Sequence, residues 1–175
     1  MARFLSEQGV RPLALDLVPS NGDLGLDALA RQVTTFADER IPSGEQFDLV
    51  GFSMGGLVSR YYVQRLGGLE RVTRVITIST PHFGTLWAHT ARNPASRQMR
   101  RGSEFLAKLN RDTAMLERLR FASIWTPMDL MILPASSSRL GVGEDFRIPV
   151  ALHAWMPGNR RCWELVARML RQDAL

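Results

Sequence analysis

The stretch from Phe47 to Leu66 constrains the architecture of this chain more than any other part of it. Phe47 to Phe52 is a short apolar run, bounded upstream by Pro42, Ser43 and Gly44, and reads as a buried strand. It runs without a loop into Gly51-Phe52-Ser53-Met54-Gly55, and a helix leaves on the far side through Gly56, Leu57, Val58, Tyr61 and Leu66. Gly67 and Gly68 end that helix. A continuous apolar strand that feeds a helix so abruptly belongs to a parallel sheet with helices on its faces.

The rest of the sequence repeats the alternation. Val10 to Val18 is apolar and reads as a strand, and residues 24–39 place Leu26, Leu29, Val33 and Phe36 on one helical face. Val72 to Ile78, rich in Val, Ile and Thr, reads as the next strand. Phe121 to Trp125 and Ile148 to Leu152 follow as short strands. Asn159 is placed to cap a last helix whose inner face is Trp163, Val166, Ala167 and Leu170. Residues 83–120 carry no strand pattern. Phe105, Leu106 and Leu109, then Met115, Leu116 and Leu119, suggest two amphipathic helices, either a cap inserted over a site or ordinary crossover helices. The expectation is one α/β domain over residues 1–175, with 83–120 as a cap-like insertion.

Composition narrows the classes. No window approaches the roughly 20 consecutive apolar residues of a membrane span. The single cysteine, Cys162, excludes an internal disulfide and any multi-cysteine zinc site. Residues 1–87 carry 8 basic and 9 acidic side chains, whereas residues 88–175 carry 14 basic and 8 acidic. Arg97, Arg100, Arg101, Lys108, Arg111, Arg118 and Arg120 fall in one stretch. Such a patch is either a solvated helical face or a meeting point for an anionic surface. No nucleic-acid module accompanies it, so no nucleic-acid partner is expected.

Gly51-Phe52-Ser53-Met54-Gly55 is a G-x-S-x-G between a strand and a helix. On so sharp a turn the serine backbone is strained, its hydroxyl stands at the carboxyl edge of the sheet, and flanking glycines keep side chains out of the turn. The helix N-terminus behind it presents free N–H groups to a developing oxyanion. A serine hydroxyl needs a base, and the base an orienting carboxylate. Three histidines are available. His153 closes the strand Ile148 to Leu152, and Asp129 follows the strand Phe121 to Trp125, so both fall at the carboxyl edge, in the chain order Ser, Asp, His. Asp145 precedes the last strand and reads as a surface acid. His82 lies in the turn Pro81-His82-Phe83-Gly84-Thr85, which reads as pocket wall, and His89 as surface. Cys162 reads as a core position on the last helix.

These motifs together resemble those of bacterial triacylglycerol lipases and esterases of the α/β-hydrolase fold. The likeness runs through Phe47 to Val58, Ile76 to Thr85, Arg101 to Leu106, Asp129 with Pro134 and Ser136 to Ser138, and His153-Ala154-Trp155-Met156. The resemblance implies Ser53 as nucleophile, His153 as base, Asp129 as its orienter and the Met54 N–H as an oxyanion donor. It implies an ester or lipid substrate, no cofactor and no metal; composition gives no transmembrane segment, and charge placement alone suggests that the basic stretch meets an anionic lipid surface.

One departure stands out. The family has, upstream, a strand and a His-Gly loop that supplies a second oxyanion donor. By analogy that strand lies between Val10 to Val18 and Phe47 to Phe52, and this sequence contains neither element. The expectation is an N-terminally truncated fold, with Met1 an internal methionine. Three readings follow: a carboxylic ester hydrolase, an acyltransferase or thioesterase with the same triad, or a hydrolase-fold fragment without activity. The sequence assigns no compartment.

Overall fold

The computed structural model of the chain describes residues 1–171. Four parallel strands form one sheet in the order β1-β2-β3-β4: β1 (Phe47–Phe52), β2 (Val72–Ile78), β3 (Arg120–Trp125) and β4 (Glu144–Arg147). The inner strand β2 is buried on both faces from Arg74 to Ile78, with Val75, Ile76 and Ile78 as its apolar residues. Successive side chains on a strand point to opposite faces. Val75 accordingly packs with α2 (Leu26–Arg40), α3 (Met54–Arg65) and α5 (Glu104–Arg111), whereas Ile76 packs with α6 (Arg160–Arg171) and Leu5 of α1 (Ala2–Glu7). Gly9, at φ 79°, ends the turn after α1.

Residues 83–120 hold more than two helices. A 3-10 turn at Leu86–His89, α4 (Pro94–Met99), α5 and a 3-10 turn at Thr113–Arg118 succeed one another. Asn93 and Ser103 cap α4 and α5 by accepting the N–H groups of Ser96 and Leu106. Ala95, Leu106, Leu109 and Leu116 belong to the core shared with α2 and α3. Most of the segment is therefore a crossover between β2 and β3, and only its first residues stand at the carboxyl edge.

Three expectations need correction. Residues 10–17 are extended but form no strand. Their backbone finds no ladder: Val10 N–H turns back to Leu5 O, and Val18 exchanges its N–H and C=O with the Gln32 side-chain amide. A cleft of about 1300 Å3 separates this segment from β1, which has no partner on that side among the described residues. The last strand is Glu144–Arg147, not Ile148 to Leu152. β4 is a sheet edge and reads polar, while Ile148, whose N–H still bonds Trp125 O, and Val150 turn their side chains into the core with α6. Asp145 is consequently a strand residue, ion-paired with Arg139 at 3.2 Å. Finally, α6 buries Cys162, Val166, Ala167 and Met169, a face turned slightly from the expected one. Trp163 sits at its margin, against the Phe4 ring and donating Nε1–H to Pro157 O. Asn159 does cap α6, accepting the Arg161 N–H at 3.0 Å.

Candidate active site

Ser53 joins β1 to α3 with φ 51° and ψ −121°, a conformation sterically hostile to a residue with a Cβ. Its N–H continues the ladder onto Ile78 O at 2.8 Å, so the sheet itself holds the strained residue in place. A Cβ on Gly51 would come within 2.7 Å of the Gly56 backbone, and one on Gly56 would collide with Thr80. Gly55, the second glycine of the motif, faces open space. The close approach thus falls on Gly51 and Gly56 rather than on the two glycines of G-x-S-x-G. Met54 and Gly55 head α3, where N–H groups precede the first intrahelical acceptor.

The structure joins Asp129 to His153. His153 Nδ1–H donates to Asp129 Oδ2 at 2.8 Å, which leaves Nε2 as the acceptor of the ring. Asp129 Oδ1 takes the N–H groups of Met131 and Ile132, both at 2.9 Å. Burial works against the Asp129 charge, but the hydrogen bonds from His153, Ile132 and Met131 outweigh it and hold its pKa below the ordinary carboxylate range. The His153 ring packs on Phe52, the residue before Ser53, with centroids 4.8 Å apart. Ser53 Oγ itself makes no hydrogen bond among the described residues, and His153 opens a 3-10 turn at His153–Gly158 rather than ending a strand. Thr126 anchors the intervening loop, its Oγ1–H donating to Val150 O at 2.7 Å.

His82 is elsewhere. It is fully buried, and burial, followed by the Arg60 charge, lowers its pKa well below 6.5. Arg60 donates to His82 Nδ1 at 3.3 Å, and His82 Nε2–H donates to Thr77 Oγ1 at 3.1 Å, whose own proton goes to Ala122 O. The ring is thereby fixed as a neutral strut between α3 and the sheet. Arg60, with no exposed surface, is bound among the described residues only by neutral groups: Gln64, His82 and Leu109 O. Burial and, secondarily, Arg65 lower its pKa to about 9. Sequence reading missed this network, because a helical arginine carries no sign of burial. His89 is exposed and Cys162 is core, its thiol pushed up to about 12 by burial. Among the described residues no group of three His, Cys, Asp or Glu side chains has the spacing to hold a metal ion, and no helix is long and apolar enough to cross a membrane.

The fold has counterparts among solved structures. Lipase B of Aspergillus fumigatus superposes with a TM-score of 0.79 at 17% identity, over 98% of this chain and 48% of that one. An extracellular α/β-hydrolase of a Paenibacillus species superposes with a TM-score of 0.61 at 15% identity, over 98% and 90% of the two chains. The chain has the α/β-hydrolase fold. A lipase-esterase related protein of Clostridium acetobutylicum shares this hydrolase fold, with a TM-score of 0.56, 14% identity and coverage of 97% and 88%. The chain spans about half the length of the Aspergillus lipase. Residues 19–105 match the family model of palmitoyl protein thioesterase, a segment that contains the Ser53 elbow and the whole of β2. No curated protein sequence matches the chain.

Proposed function

We propose that the hydrolase fold here carries a Ser53-His153-Asp129 triad that cleaves acyl esters through an acyl-serine intermediate. The observation that supports this most is the Asp129–His153 pair at 2.8 Å, packed on the residue before a serine held at φ 51°. Ser53 Oγ attacks the acyl carbonyl carbon while His153 Nε2 takes its proton. The carbonyl electrons move onto the oxygen, which the Met54 N–H stabilises at the head of α3. Collapse expels the leaving group, protonated by His153. Water, deprotonated by the same nitrogen, then attacks the acyl-serine and restores the enzyme. Asp129 holds the imidazole tautomer and stabilises the imidazolium. Met128 and Met131 are exposed on the loop that carries Asp129, and Phe83 and Leu86 on the neighbouring loop after β2; together they would form the mouth for an apolar acyl chain.

Labelling with a fluorophosphonate tests the triad. The purified chain labels, and Ser53→Ala and His153→Ala abolish the label. Retention of the label in Ser53→Ala would sink the assignment. Unlabelled protein that is folded by circular dichroism would favour the reading of a hydrolase-fold module without activity. The match to palmitoyl protein thioesterase favours one second reading, a long-chain acyl thioester as the donor. Comparing kcat/KM for acyl thioesters and oxygen esters of equal chain length decides it. Product analysis with an added alcohol tests transfer against hydrolysis.

A further inference from the structure

We propose that Thr126 is a positioning residue, whose buried hydroxyl sets the register in which Asp129 meets His153. This deepens the reading above and rests on its assignment of that pair to the acyl-transfer step. Asp129 stands on the loop after β3 and His153 on the loop after β4, and the sheet joins those loops only as far as its ladder runs. The last backbone rung among the described residues is Ile148 N–H to Trp125 O at 2.9 Å. Past it, Pro127 has no N–H to give. The Thr126 hydroxyl takes over at this point. Its proton goes to Val150 O at 2.7 Å, and its oxygen accepts the N–H groups of Val150 and Met128, both at 3.3 Å. One side chain thus makes both the donor and the acceptor contact that a further backbone rung would make.

Position gives this contact its leverage. Thr126 precedes Asp129 by three residues and Val150 precedes His153 by three, so the rung stands equally far along both arms. Without it the nearest tie is Trp125 to Ile148, four residues from Asp129 and five from His153. Slack in either arm moves the carboxylate against Nδ1, and a misplacement of about 1 Å costs up to about a hundredfold in rate. Thr126 is fully buried, and its one donor and two acceptor positions are all taken, which leaves the hydroxyl a single orientation. The far end of the acid loop is held separately. Thr85, on the loop after β2, donates its hydroxyl to Met131 O at 2.7 Å and accepts the Leu133 N–H at 2.9 Å, and Leu86 N–H donates to Leu133 O at 3.0 Å. Asp129 Oδ1 closes the turn on itself through the Met131 and Ile132 N–H groups. The carboxylate therefore keeps its own turn without Thr126. What the Thr126 hydroxyl governs is where that turn stands against His153.

Two substitutions test the proposal: Thr126→Val removes the hydroxyl at nearly constant size, and Thr126→Ser keeps it. Proton NMR in water reads the His153 Nδ1–H directly, as a downfield resonance identified by its absence from His153→Ala. That resonance should be lost or shifted upfield in Thr126→Val and retained in Thr126→Ser. In turnover of a nitrophenyl acyl ester, Thr126→Val should lower kcat by about tenfold to a hundredfold with KM little changed, and Thr126→Ser should recover most of the loss. Val166→Ala opens a cavity in the core under α6 and controls for stability alone; it should move neither the resonance nor kcat. Thr126→Val with the parent's resonance and kcat would overturn the proposal. So would equal losses in Thr126→Ser or Val166→Ala, or a parent without the resonance. The resonance also separates this proposal from the reading beneath it. A parent that shows it but takes no fluorophosphonate label would sink the activity, while the resonance in Thr126→Val would still decide the positioning.

Discussion

A single methyl group has opposite consequences at neighbouring glycines of the elbow. At Gly56 it would run into Thr80, and at Gly51 into the backbone of α3, so Gly56→Ala and Gly51→Ala should each cost about 1–3 kcal/mol of stability and abolish Ser53 labelling. Gly55→Ala meets nothing, and a helical alanine is favoured over glycine by up to about 1 kcal/mol. Thermal melts with labelling of the three variants check this contrast. Asp129 invites a second test. Asp129→Asn should leave the fold intact but favour the wrong imidazole tautomer, reducing turnover on the order of ten-thousandfold. The depressed pKa of Asp129 has its own signature in acid. Its contribution to stability is present above the ordinary carboxylate value and is lost as the pH falls through its lower folded-state value. Melting temperatures across the acid range should therefore fall less steeply for Asp129→Asn than for the parent.

At the scale of elements, β2 and β3 were legible because inner strands of a parallel sheet are rich in apolar and β-branched residues, and β1 because it runs straight into the Ser53 turn. α2 and α3 were legible from their periodicity. β4 was not, because an edge strand needs polar side chains and the apolar run beside it serves α6 instead. Val10 to Val18 has a strand's composition but no neighbour to pair with among the described residues, and composition does not report pairing. Of the proposed site, the strained turn at Ser53 was legible from its motif and the Asp129–His153 pair from chain order, although His153 opens a 3-10 turn and does not end a strand. Thr126 and Arg60 were not, since their partners are backbone atoms and distant side chains. The open edge of β1 also carries a prediction. Val50 is partly exposed on a strand whose outer backbone groups are unpaired among the described residues, a template for edge-to-edge pairing. Val50→Lys should reduce self-association in static light scattering while leaving the melting temperature within a few degrees of the parent.

For the molecule as a whole, His82 links pH to stability. Its folded-state pKa lies well below 6.5, so unfolded chains bind a proton that the folded protein refuses. Stability should be complete above about pH 6.5 and decline below it, by roughly 1.4 kcal/mol per pH unit for this one group. Chemical denaturation between neutral and mildly acidic pH measures that slope, and its absence would mean that His82 is not buried as described. The cleft beside β1 bears on the fate of the acyl group. Its walls include Ser53, Met54 and Gly55 as well as the flank of β1, so it connects solvent to the nucleophile from the side opposite β2. In the proposed mechanism an acyl group on Ser53 would stand beside this open cleft. Bulk water at its full concentration would compete there with any alcohol or thiol, and the acyl-serine should be short-lived, partitioning to the free acid.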